Sequence, residues 1–140
     1  MLGTRKKVKE ILKKEATGYK VKVKGWVRTF RSNRFIALND GSAVKSIQVV
    51  IDYEKMDPEA LKRITTGAAL AVSGEVVASP GRGQSVEIHA DKIDILGDSD
   101  PKEYPLQPKK HSLDFLREIA HLRFRTNTFG AIFRLRNSLA

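Results

Sequence analysis

Apolar residues recur at every second position from Tyr19 onward and predict a β-strand. In "YKVKVK", Tyr19, Val21 and Val23 share one face, while three lysines occupy the other, which is typical of a half-buried strand. Gly25 interrupts this pattern, and glycine within a strand marks a bulge or the point where a barrel strand passes from one sheet to another. The facing of residues 24–31 therefore stays open at this point.

Two further strands follow, with the turn signal "NDG" between them. In "RFIALNDGS", Ile36 and Leu38 share the inward face, so Phe35 points outward, close in sequence to several arginines. In "AVKSIQVVID", isoleucine and valine at alternate positions share one face and leave Gln48 on the other. An outward ring and an outward amide are therefore predicted on neighbouring strands.

Helical spacing appears in two other segments of the first hundred residues. "TRKKVKEILKKEA" carries a narrow apolar stripe on a basic helix, with Thr4 as a possible cap. "DPEALKRI" predicts a short helix with Asp57 as its cap and Pro58 in its first turn. Two more strands, "TTGAALAVSGEVVAS" and "SVEIHADKIDIL", follow it. Five strands with a helix between the third and the fourth indicate an OB-fold, an all-β, five-stranded Greek-key barrel, here with an additional N-terminal helix.

The composition changes near Gly97. "GDSDPKEYPLQPKK" is rich in proline and charge, which is typical of a linker. Two helices are predicted after it, the first capped by Ser112 and the second by Asn127 or Thr128. The expected limits are an OB domain at 1–96, a linker at 97–110 and a helical C-terminal stub at 111–140.

The charge distribution favours a polyanionic partner. The formal net charge is +10, of which residues 1–34 carry +10, residues 35–104 carry −5 and residues 105–140 carry +5. A basic block beside a mildly acidic one is typical of a nucleic-acid surface, although a solvated basic helix has the same composition. Cysteine is absent and no apolar run is long enough to cross a bilayer. We expect a cytoplasmic protein with no disulfide and no contact with a membrane.

No catalytic constellation is visible in the sequence. His89, His111 and His121 stand apart without the spacing of metal ligands, and His89 is expected to be a surface or structural residue. "SPGRGQS" lacks the lysine and the following helix of a phosphate loop. We therefore expect a binding surface, without a catalytic residue, a metal site or a cofactor in this chain.

The predicted binding surface combines an aromatic ring, an amide and several cations. Phe35 offers a platform for an unpaired base, and Gln48 offers a donor and an acceptor that suit the edge of a uracil. The candidate residues are Arg28, Arg31, Phe35, Gln48, Arg82 and Gln84. Structural alternatives remain, in which Phe35 packs beneath the first helix, Gln48 is an ordinary outward residue and Arg82 is a loop charge. Trp26 is expected in the core because of the residues that flank it.

Three segments resemble the N-terminal part of asparaginyl-tRNA synthetases, class II enzymes of the subgroup that also contains the aspartate and lysine enzymes. They are "GWVRTFRSNRFIALNDGS", "IQVVID" and "YPLQPKKHSLDFLREIAHLRFRTNTFGAIFRLRNSLA". The first two resemble the whole subgroup, and the third is more specific to the asparagine member. The resemblance extends over nearly the whole chain from Val21 onward.

The resemblance implies that the OB-fold recognises the anticodon of a tRNA. It assigns to Phe35 stacking on the middle anticodon base, a uridine, and to Gln48 a contact with the same uridine. Arg31 matches an arginine that contacts the anticodon stem-loop. Arg82 and Gln84 match, less closely, a loop that contacts the outer two bases.

The resemblance also implies that a homodimeric parent enzyme joins asparagine to tRNA with ATP and Mg²⁺. Residues 111–140 match the beginning of its catalytic domain, and the proline of the first signature motif and the ATP-binding arginine motif are absent from the sequence. We therefore expect this chain to bind tRNA without catalysing the reaction. The alternatives are an aspartate-type or dual-specificity synthetase fragment, a generic single-stranded nucleic-acid-binding protein, and a protein-interaction or dimerisation module.

Overall fold

The chain divides between Gln107 and Pro108 into two units. A computed structural model describes residues 5–81 and 83–140. Thr4, the possible cap of the first helix, and Arg82, a candidate binding residue, therefore lie outside the described residues.

The described part of the first unit contains the strands and helices in the predicted order. They are α1 (Val8–Lys14), β1 (Tyr19–Arg31), β2 (Phe35–Asn39), β3 (Ile47–Val50), α2 (Pro58–Lys62), β4 (Ala69–Ala78) and β5 (Val86–Gly97). A 3-10 turn at Tyr53–Lys55 lies between β3 and α2.

Strand β1 closes the barrel because it pairs with two other strands. Its first part is antiparallel to β4, from Tyr19 opposite Val76 to Trp26 opposite Ala69. Its second part pairs with β2, and the order around the barrel is β1-β2-β3-β5-β4. The closed barrel confirms the predicted all-β OB-fold.

Gly25 lies where β1 changes its partner. A Cβ atom at this position would be 2.6 Å from the backbone oxygen of Asn39 on β2. The next residue, Trp26, pairs with both Ala69 of β4 and Asn39 of β2. The prediction that this glycine marks a strand passing from one sheet to another is therefore confirmed.

The prediction that Trp26 lies in the core is wrong. The alternation continues through Gly25, since Val23 and Val27 are 0% and 2% exposed. Trp26 therefore faces outward, and its exposed fraction is 40%. The irregular step in β1 comes later, between Val27 and Thr29.

The core is formed by the inward residues of the strands, closed by helical side chains. Ile36, Leu38 and Val49 are fully buried, as the period of two predicts. Helix α1 contributes Val8 and Ile11 to the same apolar cluster, and the turn that follows α2 contributes Ile64. The basic first helix is thus part of the barrel core and is not a free appendage.

The N-terminus of α1 is capped by the loop between β2 and β3. Asp40 accepts a hydrogen bond from the backbone N–H of Val8 at 2.9 Å, and Ser42 accepts one from Lys9 at 3.0 Å. These bonds satisfy donors that a helix leaves unpaired at its start. Burial opposes ionisation of Asp40, but its hydrogen bonds from Ser42 and Val8 outweigh burial and lower the pKa of this carboxyl group below its usual value.

The chain after β5 returns to the end of α2. Asp57 caps α2 by accepting a hydrogen bond from the backbone N–H of Glu59 at 3.1 Å, which confirms the predicted cap. Arg63 forms a bidentate pair with Asp98, with distances of 2.7 and 3.0 Å. Hydrogen bonding from Arg63 lowers the pKa of Asp98. Residues 98–107 belong to the barrel unit.

The second unit contains two helices and a 3-10 turn between them. They are α3 (Leu113–Glu118), the turn Arg123–Arg125 and α4 (Asn127–Leu139). Ser112 caps α3, as predicted. The cap of α4 is Thr126, whose hydroxyl accepts from the N–H of Phe129 at 3.4 Å. The prediction of Asn127 or Thr128 as the cap is therefore wrong, because both residues already lie within the helix.

Arg123 packs among aromatic rings within the second unit. Its guanidinium carbon lies 5.6, 5.2 and 5.5 Å from the ring centroids of Phe124, Phe129 and Phe133. Phe124 and Phe133 are themselves in edge-to-face contact, with centroids 4.4 Å apart. Cation–π attraction and ring packing together hold α4 against the turn that precedes it.

Candidate nucleic-acid interface

A tight hairpin turn joins β1 to β2 and holds two arginines near Phe35. Ser32 and Asn33 both have positive φ, 55° and 51°, and the N–H of Arg34 donates to the carbonyl oxygen of Arg31 at 3.0 Å. Two such residues in succession are typical of a type I′ hairpin. The ladder then places Arg31 directly opposite Phe35.

Phe35 faces outward from β2, as predicted. The next residue, Ile36, is fully buried, and Phe35 is opposite Val50 of β3. The ring is half-buried, and the guanidinium carbon of Arg34 lies 5.6 Å from its centroid. A flat apolar surface with a cation over it is therefore present on the outside of the barrel.

Gln48 lies on the same face as Phe35, two residues along the ladder. It is opposite Ala37, while Phe35 is opposite Val50, so the amide and the ring are separated by about 7 Å along the strands. Gln48 Nε2 donates to Oε2 of Glu87 at 2.8 Å. The bond turns the nitrogen of the amide toward β5 and its carbonyl oxygen away from Glu87.

Glu87 is a functional candidate that the sequence analysis missed. It is 5% exposed, and its oxygens also bond to Ser79 at 3.3 Å and to the Nε2 of His89 at 3.0 Å. A buried carboxylate is tolerated only when donors of this kind surround it. The signal was present in "SVEIHADKI", because the buried valine and isoleucine on either side of Glu87 place it on the face of Gln48.

The loop between β4 and β5 is tied to the same network. Gln84 Nε2 donates to the hydroxyl of Ser79 at 3.2 Å, and Ser79 in turn bonds to Glu87. Lys45, in the loop between β2 and β3, donates from its ammonium group to the carbonyl oxygen of Gly83. The structure thus brings Gln84 to the rim of the interface, while Arg82 is outside the described residues.

The two arginines of β1 occupy different surroundings. Arg31 is exposed at the end of the strand and is opposite Phe35 in the ladder. Arg28 is half-buried at the irregular step between Val27 and Thr29. The regular pairing therefore brings Arg31, and not Arg28, next to the outward ring.

The described residues contain neither a metal-binding cluster nor a helix that could cross a membrane. Across residues 5–81 and 83–140, no group of three or more histidine, aspartate or glutamate side chains is arranged to hold a metal ion. None of the described helices combines the length and the apolar composition that a transmembrane span requires.

Two solved structures share this fold over most of the chain. Asparaginyl-tRNA synthetase from Pyrococcus horikoshii superposes with a TM-score of 0.77 over 99% of this chain and 34% of that chain, at 22% identity. An asparaginyl-tRNA synthetase from Entamoeba histolytica gives a TM-score of 0.73 over 87% of this chain and 31% of that chain, at 24% identity. At these identities the likeness supports the fold alone.

Sequence relatives are more similar. The chain is 56% identical over 139 residues to the asparagine–tRNA ligase of Parabacteroides distasonis, and the match covers 97% of this chain and 30% of the relative. It is 54% identical over 140 residues to that of Bacteroides fragilis, covering 98% of this chain and 30% of the relative. The chain thus spans about 30% of the length of these relatives. The resemblance to asparaginyl-tRNA synthetases is confirmed.

A family model describes the barrel itself. The tRNA anti-codon model, for an OB-fold nucleic acid binding domain, matches residues 21–96. This range begins at the third residue of β1 and ends one residue before the end of β5, so it covers nearly all of the five strands. The chain therefore belongs to the tRNA anti-codon family of OB-fold nucleic acid binding domains.

Proposed function

We propose that this chain is the anticodon-binding part of an asparagine–tRNA ligase and that it binds the anticodon loop of tRNA on the outer face of β2, β3 and β5. One observation carries the proposal. Phe35 and Gln48 lie on adjacent strands and on one outward face, with Arg31 and Arg34 beside them, in a barrel of a nucleic-acid-binding family.

Phe35 is proposed to stack on the middle base of the anticodon. An unpaired base covers the apolar ring and displaces water from it, and such stacking contributes about 1–3 kcal/mol per base. Arg34 already lies over this ring, so its side chain has to move aside or stack on the base itself. Arginine is suited to either role because its guanidinium group is planar.

Gln48 is proposed to recognise a uracil next to that ring. One N–H of its amide is used by Glu87, which leaves the second N–H as a donor and the carbonyl oxygen as an acceptor. The Watson–Crick edge of uracil offers an N–H donor beside carbonyl acceptors, so the two edges are complementary. Cytosine presents an amino group and an unprotonated nitrogen there and mismatches both contacts.

The basic residues are proposed to hold the phosphate backbone. Arg31 is exposed beside the ring, and Arg28, at the irregular step of the same strand, is proposed for a second contact with the backbone. Gln84 and Arg82, in the loop between β4 and β5, are proposed to contact the outer two anticodon bases. Phosphate contacts position the loop, while the base contacts give specificity.

The proposal extends to the longer protein to which such a chain would belong. Its relatives are named asparagine–tRNA ligases, and we place residues 111–140 at the start of a catalytic domain that joins asparagine to tRNA with ATP and Mg²⁺. This reaction belongs to translation, and a cytoplasmic location is proposed on that basis. An aspartate-type or dual-specificity enzyme is the alternative within the same subgroup.

Fluorescence anisotropy with a labelled RNA hairpin tests the proposal directly. The hairpin presents the anticodon loop with GUU, and a second hairpin differs only by C in place of the central U. Wild type should bind the U hairpin about 5- to 150-fold more tightly than the C hairpin, since a bidentate base contact contributes about 1–3 kcal/mol. Phe35→Ala should weaken binding of the U hairpin by a similar factor.

Two variants control for indirect effects. Phe35→Tyr keeps a ring that stacks and should retain binding. Trp26→Ala removes an exposed ring opposite Asn39, at the end of β2 that is farthest from Phe35, and should leave binding unchanged. Equal binding of both hairpins together with no effect of Phe35→Ala would contradict the proposal and favour a generic single-strand binder.

A role in dimerisation is the second candidate, and α4 carries it. Ile132, Leu135 and Leu139 are 44%, 62% and 78% exposed, which is unusual for large apolar residues on one helix. A second copy of the chain is the proposed partner of this face. Sedimentation equilibrium should show association that increases with concentration and is abolished by Leu135→Glu, and a monomer at all concentrations would rule this role out.

A further inference from the structure

An exposed histidine is bonded to the buried carboxylate at the centre of the interface. The side chain of His89 is 55% exposed and that of Glu87 is 6% exposed, and the two are joined by a bond of 3.0 Å to Oε1. The other carboxylate oxygen, Oε2, accepts the amide of Gln48 at 2.8 Å. One carboxylate therefore connects the surface imidazole to the proposed uracil contact.

The pairing of the strands also brings His89 to the proposed base-binding face. His89 is opposite Val50 of β3, and Val50 is opposite Phe35 of β2. These three residues form one outward-facing row across the barrel, and Gln48 and Glu87 lie in the next outward-facing row, two residues along the strands. A base stacked on the ring would thus lie within two strands of the imidazole.

We propose that His89 is a positioning residue for the contact between Gln48 and the base, and that it acts through Glu87. The inference rests on the proposed function, because it concerns the same interface. A carboxylate held at both oxygens has a fixed orientation, and it fixes the direction of the amide that donates to it. Without His89, Oε1 of Glu87 loses a donor, and only the bonds from Gln48 and Ser79 to Oε2 then hold the carboxylate in place.

Protonation of the imidazole should strengthen this arrangement. A charged imidazolium is a stronger hydrogen-bond donor to a carboxylate than a neutral imidazole. The new positive charge also lies on a face that phosphates approach. Both effects favour RNA binding at the lower pH.

Among the described residues, the charged groups near His89 include two other carboxylates and a lysine. Glu75 of β4 is directly opposite His89, and Asp91 is two residues farther along β5, where it is paired with Lys20 of β1 at 2.7 Å. A change in RNA binding between pH 6 and pH 8 that is lost in His89→Gln would report on this histidine.

The test measures Kd for the U and C hairpins at pH 6 and pH 8 with the full chain. Wild type should bind the U hairpin about three- to tenfold more tightly at pH 6 than at pH 8. His89→Gln offers Glu87 an amide donor that does not titrate, so it should retain discrimination between U and C but lose this pH dependence. In His89→Ala, the ratio of the Kd values for the C and U hairpins should be about three- to tenfold smaller than in wild type.

A matched control and a double-mutant cycle make the result specific. His121→Gln changes a histidine of the second unit and should keep the wild-type pH dependence. His89→Ala should have little further effect in a Glu87→Gln background, because the proposed path runs through that carboxylate. Additive effects of the two changes would overturn the inference.

The outcomes separate this inference from the function on which it rests. If wild type prefers U and Phe35→Ala weakens binding, but His89→Gln keeps the wild-type pH dependence or His89→Ala keeps full discrimination, only the role of His89 is overturned. If wild type shows no preference between the hairpins, the proposed function and the role of His89 both fail. His89 is exposed, so its replacement should leave the barrel folded, and tryptophan fluorescence of each variant checks this point.

Discussion

Gln48 and Glu87 are joined by a hydrogen bond of 2.8 Å that links β3 to β5. The amide is the donor and the carboxylate is almost fully buried. The same amide is the group proposed to contact a base. Stability and recognition are therefore coupled at one side chain, and changes there should affect both.

Replacing Gln48 by glutamate should destabilise the barrel more at high pH than at low pH. The change places a second carboxylate against Glu87, and two close carboxylates raise the pKa of one member of the pair in the folded state. The folded variant then retains a proton that the unfolded chain has lost, so its free energy of unfolding should rise as the pH falls from 8 to 5. We expect a loss of about 1–3 kcal/mol at pH 8.

Urea denaturation followed by the fluorescence of Trp26, the single tryptophan, measures this effect. Gln48→Ala is the matched control, since it removes the donor without adding a charge. If Gln48→Glu and Gln48→Ala have parallel pH profiles, the two side chains are not in contact as described.

Replacing Arg31 by glutamine should reduce the salt dependence of RNA binding. Each phosphate neutralised contributes a slope of about 0.7–0.9 to the plot of log K against log salt concentration. Arg31 is exposed opposite Phe35, so its loss should lower the slope by about this amount for the U and C hairpins alike. Arg117→Gln, in the second unit, is the control and should leave the slope unchanged. An unaltered slope for Arg31→Gln would remove this residue from the phosphate contacts.

Replacing Gly25 by alanine should destabilise the barrel by about 1–3 kcal/mol. The added Cβ would be 2.6 Å from the carbonyl oxygen of Asn39, and a backbone atom in a ladder has little room to move. Gly97→Ala is the control, because a Cβ atom added there would have the Cβ of Ala69 as its nearest neighbour, at an ordinary contact distance of 3.6 Å. Equal midpoints of thermal unfolding for the two variants would contradict the close approach of β1 to β2.

Replacing Asp40 by asparagine should weaken the attachment of α1 at neutral pH. Caps of this kind contribute about 0.5–2 kcal/mol. Because the pKa of Asp40 is lowered in the folded state from its usual 3.8, its ionised form stabilises the protein above that pH and the contribution is lost as the pH falls through the folded-state value. The difference in unfolding free energy between wild type and variant should therefore shrink on acidification below about pH 3.8.

A surface carboxylate provides the comparison for Asp40. The side chain of Asp114 in α3 is 92% exposed, and Asp114→Asn should change the unfolding free energy far less than Asp40→Asn at pH 7. If the two variants behave alike, the loop between β2 and β3 does not cap α1 in solution.

Much of the barrel and part of the interface were predictable from period-two alternation. The outward facing of Phe35 and Gln48 follows from buried neighbours such as Ile36 and Val49, and the cap at Asp57 follows from a local signal. These features depend on residues close in sequence. Local patterns are sufficient wherever the partner of a residue lies within a few positions.

The remaining features depend on partners that are distant in sequence. The cap of α1 comes from Asp40, 32 residues after Val8, and Glu87 is recognisable as buried only once Gln48 is beside it, 39 residues away. The core position predicted for Trp26 from its neighbours Gly25 and Val27 is wrong, because Gly25 leaves the alternation intact and relieves a contact between two backbones. Sequence patterns do not reveal such pairings.

Of the ladders that the structure describes, the one between β3 and β5 is the shortest. We call it the seam, and the proposed binding face lies across it. Among the described residues, the parallel ladder between β3 and β5 consists of Val49 with Ile88 and Val50 with His89, whereas β1 and β4 pair along most of their length. A short ladder has few backbone hydrogen bonds to break before its two strands separate. Once separated, the strands present two unpaired edges that other chains can join. The bond between Gln48 and Glu87 fastens this seam, so an RNA that engages both strands would slow amide hydrogen exchange there and protect the protein from aggregation.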